Sequence, residues 1–175
     1  KLIYEQCEMI GKPSSEILMF SSPIKGKLEV SINLQQAVEA IKPFKRPNSF
    51  NGIPIVVKSS AEYNSKEYWK ETVRQLEAQF DRLICNSAMV INPEQHFSVF
   101  SIAPIPLIIK LGYLMGDKIP ADIYQKTREP DTWKWLYEEQ KNDFIFEKKV
   151  IRNGKKVALI ISLTADIAES RVTKV

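Results

Sequence analysis

Short apolar runs bounded by Ser, Pro and Gly alternate along this chain with stretches whose apolar residues recur every three or four positions. The runs are Glu16–Phe20 (EILMF), Ile53–Lys58 (IPIVVK), His96–Ile102 and Ala121–Gln125, with Leu28–Ile32 as a further alternating segment. Their length and punctuation predict buried strands. Between them, Leu34, Ala37, Val38 and Ile41 follow Asn33, an N-cap residue type, and predict a short helix. A longer helix is predicted from Asn64, with Glu67 three residues on as in a capping box. Its apolar stripe is Trp69, Val73, Leu76, Phe80, Leu83 and Ile84; Lys70, Glu71, Arg74, Glu77 and Asp81 fill the opposite side.

The segment from Phe97 to Arg128 holds the clearest unit: strand, turn, helix, return strand. Pro104 and Pro106 suit a first helical turn, where a missing N–H costs nothing. Leu107, Ile108, Ile109, Leu111, Leu114 and Met115 almost encircle the following helix, which predicts burial on most sides; Gly116 is its expected C-terminal cap. A strand, a helix and a second strand in this order make a βαβ unit, so the fold class is α/β: a Rossmann-like sheet with flanking helices. Asn153-Gly154 between two apolar runs, Phe144–Ile151 and Lys156–Leu163, predicts a β-hairpin near the C-terminus. Residues 1–15 carry little signal beyond a possible short helix and the break at Gly11–Ser15.

Several apolar runs end in Ser, at Ser21-Ser22, Ser59-Ser60, Ser101 and Ser162. In an open α/β sheet such residues at the carboxyl ends of strands let a ligand approach the backbone and find hydroxyls. Serine also ends strands and caps helices in proteins that bind nothing, so both readings stand.

Composition narrows the chemistry. The 175 residues are 44% hydrophobic and 26% charged, ordinary for a globular domain with a real core. No apolar run reaches the roughly 20 residues that cross a bilayer, so no membrane partner is expected. Cys7 and Cys85 show neither a disulfide framework nor metal-ligand spacing, and cytosol is the expected compartment. His96 is the single histidine, which removes most metalloenzyme and triad mechanisms; it is expected in a loop before its strand. A net charge of +4 fits a small anionic ligand or an ordinary solvated surface, and is too low to suggest duplex DNA. No GxGxxG, GxxxxGK[ST] or GxSxG occurs, so a dinucleotide fingerprint, a P-loop and a nucleophile elbow are unsupported. No cofactor, metal site or catalytic residue is expected.

Binding candidates lie elsewhere. The turn Ser101-Ile102-Ala103-Pro104-Ile105-Pro106 precedes a helix N-terminus, where N–H groups attract anions. With two prolines, the donors there would be Ile105, Leu107 and Ile108. Trp133 and Trp135 are candidates for stacking on bases, or else core tryptophans; Tyr124 and Gln125 end the return strand beside them.

The runs APIPLIIKLGYLMGDK (Ala103–Lys118), DIYQKTREPDTWKW (Asp122–Trp135) and VALIISLTADI (Val157–Ile167), in that order, resemble the SAVED domain. The shared features are the Ala-Pro-x-Pro-Leu helix start, a Leu-Gly within that helix, a Tyr-Gln strand, a Trp-x-Trp, and an apolar strand ending Ser-Leu-Thr-Ala. The resemblance covers about residues 97–167 and rests on the ordered combination. It implies a CARF-like fold of two Rossmann-like halves, here a single SAVED domain over 1–175 whose second half begins near residue 157 and is incomplete. It also implies a sensor that binds a cyclic di- or trinucleotide, oligomerises and activates an attached or partner effector in bacterial antiphage defence (CBASS or CRISPR-linked). By the same resemblance, Ala103, Pro104, Ile105, Pro106, Tyr124, Gln125, Ser162 and Thr164 line or support the ligand pocket. The rival reading is a Rossmann-like hydrolase that degrades a cyclic nucleotide signal and needs Ser101 or Thr164; a plain interaction subunit is a third.

Overall fold

The computed structural model describes residues 11–24, 31–49, 51–85, 95–117 and 119–135. The expected hairpin at Asn153-Gly154, along with Ser162 and Thr164, lies outside them, as does most of the segment Leu28–Ile32.

Strands β1 (Ser14–Ser21), β2 (Arg46–Pro47), β3 (Ile53–Val56), β4 (Phe97–Ile102) and β5 (Ala121–Tyr124) form one parallel sheet. Strand β1 lies at its centre. It pairs with β4 over Glu16–Ser21 against Phe97–Ile102, and β4 pairs in turn with β5. On its other edge β1 takes β2 at its start and β3 along its second half. Helices α1 (Leu34–Ile41), α2 (Lys66–Phe80) and α3 (Ile105–Met115) connect the strands, and a π-helical turn over Asp81–Cys85 continues α2.

The order of strands explains the layers. The chain leaves β1, adds β2 and β3 on one side, then returns past β1 to add β4 and β5 on the other. Right-handed crossovers that reverse direction place their helices on opposite faces of the sheet. Accordingly, Leu18, Phe20, Ile53, Ile55, Phe97 and Val99 pack with Leu76, Phe80 and Ile84 and with Leu107, Leu111 and Met115 of α3. On the other face Ile17, Phe100 and Tyr124 pack with Ala37, Ala40 and Ile41 of α1 and with Trp133. Alternation along β1 and β4 thus feeds two cores, which is why both strands read as apolar runs.

Strand β3 is an outer strand, and α2 closes its free edge. Gln79 accepts from Val56 N–H and donates to Val56 O, at 3.1 and 2.7 Å. Gln75, one turn earlier, does the same for Lys58, at 3.2 and 2.7 Å. Two amides spaced i, i+4 imitate a neighbouring strand and blunt an edge that invites intermolecular pairing. Gly52 is required where it stands: φ is +62°, and a Cβ would meet Met19 Cε at 3.0 Å and Ile17 O at 3.2 Å.

Three expectations need correcting. Helix α2 is capped by Ser65, whose hydroxyl accepts from Tyr68 N–H at 3.1 Å; Asn64 sits at φ +71° and accepts from the Trp69 indole. A left-handed Asn ends the preceding turn and leaves the cap to its neighbour. The π-helical turn takes over at Asp81, so Leu83 and Ile84 continue the apolar stripe beyond the α-helix proper. Finally, α3 is buried on one side only: Ile105, Ile109 and Tyr113, one turn apart, are largely exposed. That face points away from both the sheet and α2, to which Lys110 ties the helix through Glu77 at 2.7 Å.

At the amino ends of the strands, Ser15 Oγ lies 2.9 Å from His96 Nδ1 and 2.7 Å from Ser98 Oγ, and His96 Nε2 is 3.7 Å from Asp122, itself paired with Lys45. Burial first, then Lys45, lowers the His96 pKa below its ordinary 6.5, with Asp122 opposing. The folded state therefore resists a proton that the unfolded chain accepts. Stability from this group is full above pH 6.5 and declines as the pH falls below that value. His96→Gln is expected to flatten this acid slope in urea unfolding measured at several pH values. Gln79→Ala should cost about 1 kcal/mol, the size of a net hydrogen bond, and increase self-association through the β3 edge, seen by light scattering.

Candidate functional site

The reversal of strand order lies between β1 and β4, and their carboxyl ends stand side by side. Ser22 N–H bonds to Ile102 O at 3.0 Å, and Val57 N–H to Ser21 O at 3.0 Å, tying the exits of β1, β3 and β4 together. In open α/β sheets ligands collect at such a point, because neighbouring loops diverge there and leave a crevice. A cavity of about 300 Å³ opens beside it, lined by Met19, Ser21, Ser22, Pro23, Ser31, Ile32, Pro54, Val56 and Lys58. Most of that wall is apolar; the polar groups are three serines and the lysine at the exposed end of β3.

Polar chemistry concentrates at Ser22. It is 1% exposed, Tyr68 in the first turn of α2 is 5% exposed, and the two hydroxyls are buried beside each other. The two are neighbours: burial raises the Tyr68 phenol pKa, the Ser22 hydroxyl works against that rise, and Tyr63 adds to it. Tyr68 also belongs to an aromatic group, with Tyr63 at 5.2 Å and Trp69 edge-on at 4.9 Å.

The turn predicted as an anion site is at the β4 exit. Ser101 and Ile102 end the strand half-buried, Ala103 and Pro104 are buried, and Ile105 and Pro106 are exposed. Its donor supply is smaller than expected. Leu107 and Ile108 both turn their N–H groups to Pro104 O, at 2.9 and 3.2 Å, and Pro106 has none. Of the three donors foreseen there, Ile105 remains. The turn forms a stiff wall rather than a phosphate nest.

The aromatic candidates separate by environment. Trp133, 2% exposed, sits edge-on to Phe100 at 5.3 Å in the α1-side core; Trp135, 41% exposed, stacks on Tyr124 at 4.9 Å and donates its indole N–H to Ile123 O at 3.1 Å. Tyr124 is itself buried and stacked on Phe100, while Gln125 is exposed just past β5. This column lies with the second core, against which the cavity-lining Met19 and Ile32 also pack. Trp135 is the most exposed member of the column.

Ser15, His96 and Asp122 form a line that composition had discounted, yet the geometry is that of a scaffold. Ser15 is 1% exposed and also bonded to Ser98, and the group sits at the amino ends of the strands, opposite the cavity. A nucleophile needs access to substrate, which this hydroxyl lacks. Among the described residues there is no cluster of His, Cys, Asp and Glu able to hold a metal, and no helix long and apolar enough to cross a membrane.

The sheet is parallel and α/β, its strand order reverses between β1 and β4, and the cavity lies on the other edge of β1, against β3. The family model of the SMODS-associated and fused to various effectors sensor domain, SAVED, matches residues 74–175, more than half of the chain. The chain belongs to the SAVED family of sensor domains. No curated protein matches it. The match begins within α2 and takes in β4, α3 and β5, so β1, β3 and the cavity between them precede it.

Tyr68, Ser31 and Lys58 were not singled out by sequence, whereas Ser21 and Ser22 were, as serines that end an apolar run. Which strands become neighbours is a property of topology that local pattern does not carry. Truncation separates the roles of the two tryptophans: Trp133→Ala should cost about 3–5 kcal/mol in urea unfolding, whereas Trp135→Ala should cost about 1 kcal/mol, chiefly its ring stack.

Proposed function

We propose that this chain is the ligand-sensing part of a bacterial antiphage system, binding a cyclic oligonucleotide at the carboxyl edge of its sheet. Membership of the SAVED family is the observation that carries this reading. Three features of the site support it. The exits of β1 and β3 meet at the cavity, Lys58 is a cation among its lining residues, and the Ala103–Pro106 turn stands at the neighbouring β4 exit, which Ser22 N–H ties to β1. A cavity near 300 Å³ is at the small end of the roughly 300–1,000 Å³ range of small-ligand pockets. It suits one nucleoside of a larger ring, with the remainder lying across Ser101 and the Ala103–Pro106 turn.

In this reading residues 1–175 form one SAVED domain whose second half starts near residue 157. The ligand acts by binding an assembled state better than the separate chain, and assembly switches on an attached or partner effector in the cytoplasm. Isothermal titration of the chain with a panel of cyclic di- and trinucleotides tests the reading, followed by size-exclusion chromatography with the tightest binder. The expected result is saturable binding of at least one member and a shift to larger species. Absence of binding across the panel would remove the assignment.

A further inference from the structure

We propose that the cavity takes one nucleobase face-on, laid over Met19, Pro54 and Val56, with the Ser21 hydroxyl bonding its edge. This rests on the cyclic-oligonucleotide reading and adds to it which portion of the nucleotide enters and which residues meet it.

Strand register builds the floor. Met19 lies opposite Pro54 and Ser21 opposite Val56, so these four side chains stand on one face of the β1–β3 pair. Their neighbours Leu18, Phe20, Ile53, Ile55 and Val57 point to the other face, into the core beneath α2 and α3. The floor therefore belongs to the α1 face of the sheet. Helix α1 packs there over β1, β4 and β5, and among the described residues no member of β3 joins that core. Pro54 is exposed and Val56 is 42% exposed, although a parallel strand ordinarily has both faces covered.

Shape and polarity then select the ligand group. The outer edge of β3 is taken by Gln75 and Gln79, so a ligand meets this strand by its face and not by backbone pairing. That face is apolar and two strands wide, and Pro23 and Ile32 add further apolar lining. A phosphate pressed on such a floor loses its hydration and gains no counter-charge. The π-face of a base gives up little hydration and gains dispersion from Pro54, Val56 and the Met19 thioether.

The polar group at the carboxyl end of the floor is Ser21. Its backbone O accepts from Val57 N–H at 3.0 Å, so the hydroxyl is what it offers the cavity. At 7% exposure, a bond made there is sheltered from water. A hydroxyl both donates and accepts, and so bonds a base edge in either sense. Lys58, two residues past Val56, also lines the cavity and is placed for the phosphate that follows the base.

The test is NMR of the full chain, reading backbone amides and the Met19 methyl, with adenosine, guanosine, cytidine, uridine and ribose 5-phosphate as probes. At least one nucleoside is expected to shift Met19, Ser21 and Val56, while ribose 5-phosphate leaves them unmoved. Val56→Thr and Ser21→Ala are each expected to weaken that nucleoside about threefold to tenfold. The inference is overturned if no nucleoside shifts the floor, if ribose 5-phosphate shifts it instead, or if both variants bind as the wild type does. The panel of cyclic di- and trinucleotides decides the sensor reading separately. A nucleoside bound at the floor with no panel member bound retains the inference and removes that reading. A panel member bound equally by the wild type and both variants does the reverse.

Discussion

The parallel pairing of β1 with β4, Glu16–Ser21 against Phe97–Ile102, is the constraint from which the remaining architecture follows. These strands are 76 residues apart at their closest, 97 minus 21, so the contact joins two halves of the described fold across a long stretch of chain. Once they lie together, β2 and β3 are confined to one side and β5 to the other, and the helices divide between faces. The pairing also brings the exits of two strands to one place, and makes a crevice from residues that local sequence keeps apart. Function therefore depends on the same hydrogen-bond ladder as stability.

The two ends of that ladder are built differently. At the amino end polar groups are satisfied: Ser15 with His96 and Ser98, and Asp122 with Lys45. At the carboxyl end the Ser22 and Tyr68 hydroxyls are buried beside each other, and the backbone exits are bonded together. One exception stands at the satisfied end, where Glu16 bonds Asn48 through one carboxylate oxygen and leaves the other unpartnered.

Much of the fold was legible. Strands β1, β3, β4 and β5 and all three helices follow from apolar runs, helical spacing, the Asn33 cap and the Pro-marked start of α3, because each is a local signal. The Asn33 side chain does accept from Gln35 and Gln36 N–H. Local signals failed where a neighbour decided the outcome. Asn64 and Ser65 are both cap residues, and the backbone entering α2 chose the second. Encirclement of α3 by apolar residues predicted burial all round, but packing needs a partner on each side, and Ile105, Ile109 and Tyr113 stay largely exposed. The candidate site was half legible. Serines at strand ends were visible as a pattern, whereas Tyr68 looked like one more aromatic of an amphipathic helix, since its proximity to Ser22 exists only once β1 and α2 are packed. The SAVED resemblance was readable because it consists of ordered residues in sequence, and it drew attention to β4 and α3, the side of the crevice it covers.

The central claim is that the carboxyl edge of the sheet, where β1, β3 and β4 exit together, is where ligand meets the protein. Backbone amide NMR of the full chain, titrated with the cyclic nucleotide it binds best, tests this most directly. The account predicts shifts concentrated at Ser21, Ser22, Val57, Lys58 and Ser101–Leu107, with Ser15, His96 and Asp122 at the opposite edge unmoved. Perturbation centred on the amino edge, or on the exposed Ile105–Ile109–Tyr113 face with the β1 and β3 exits silent, would contradict it.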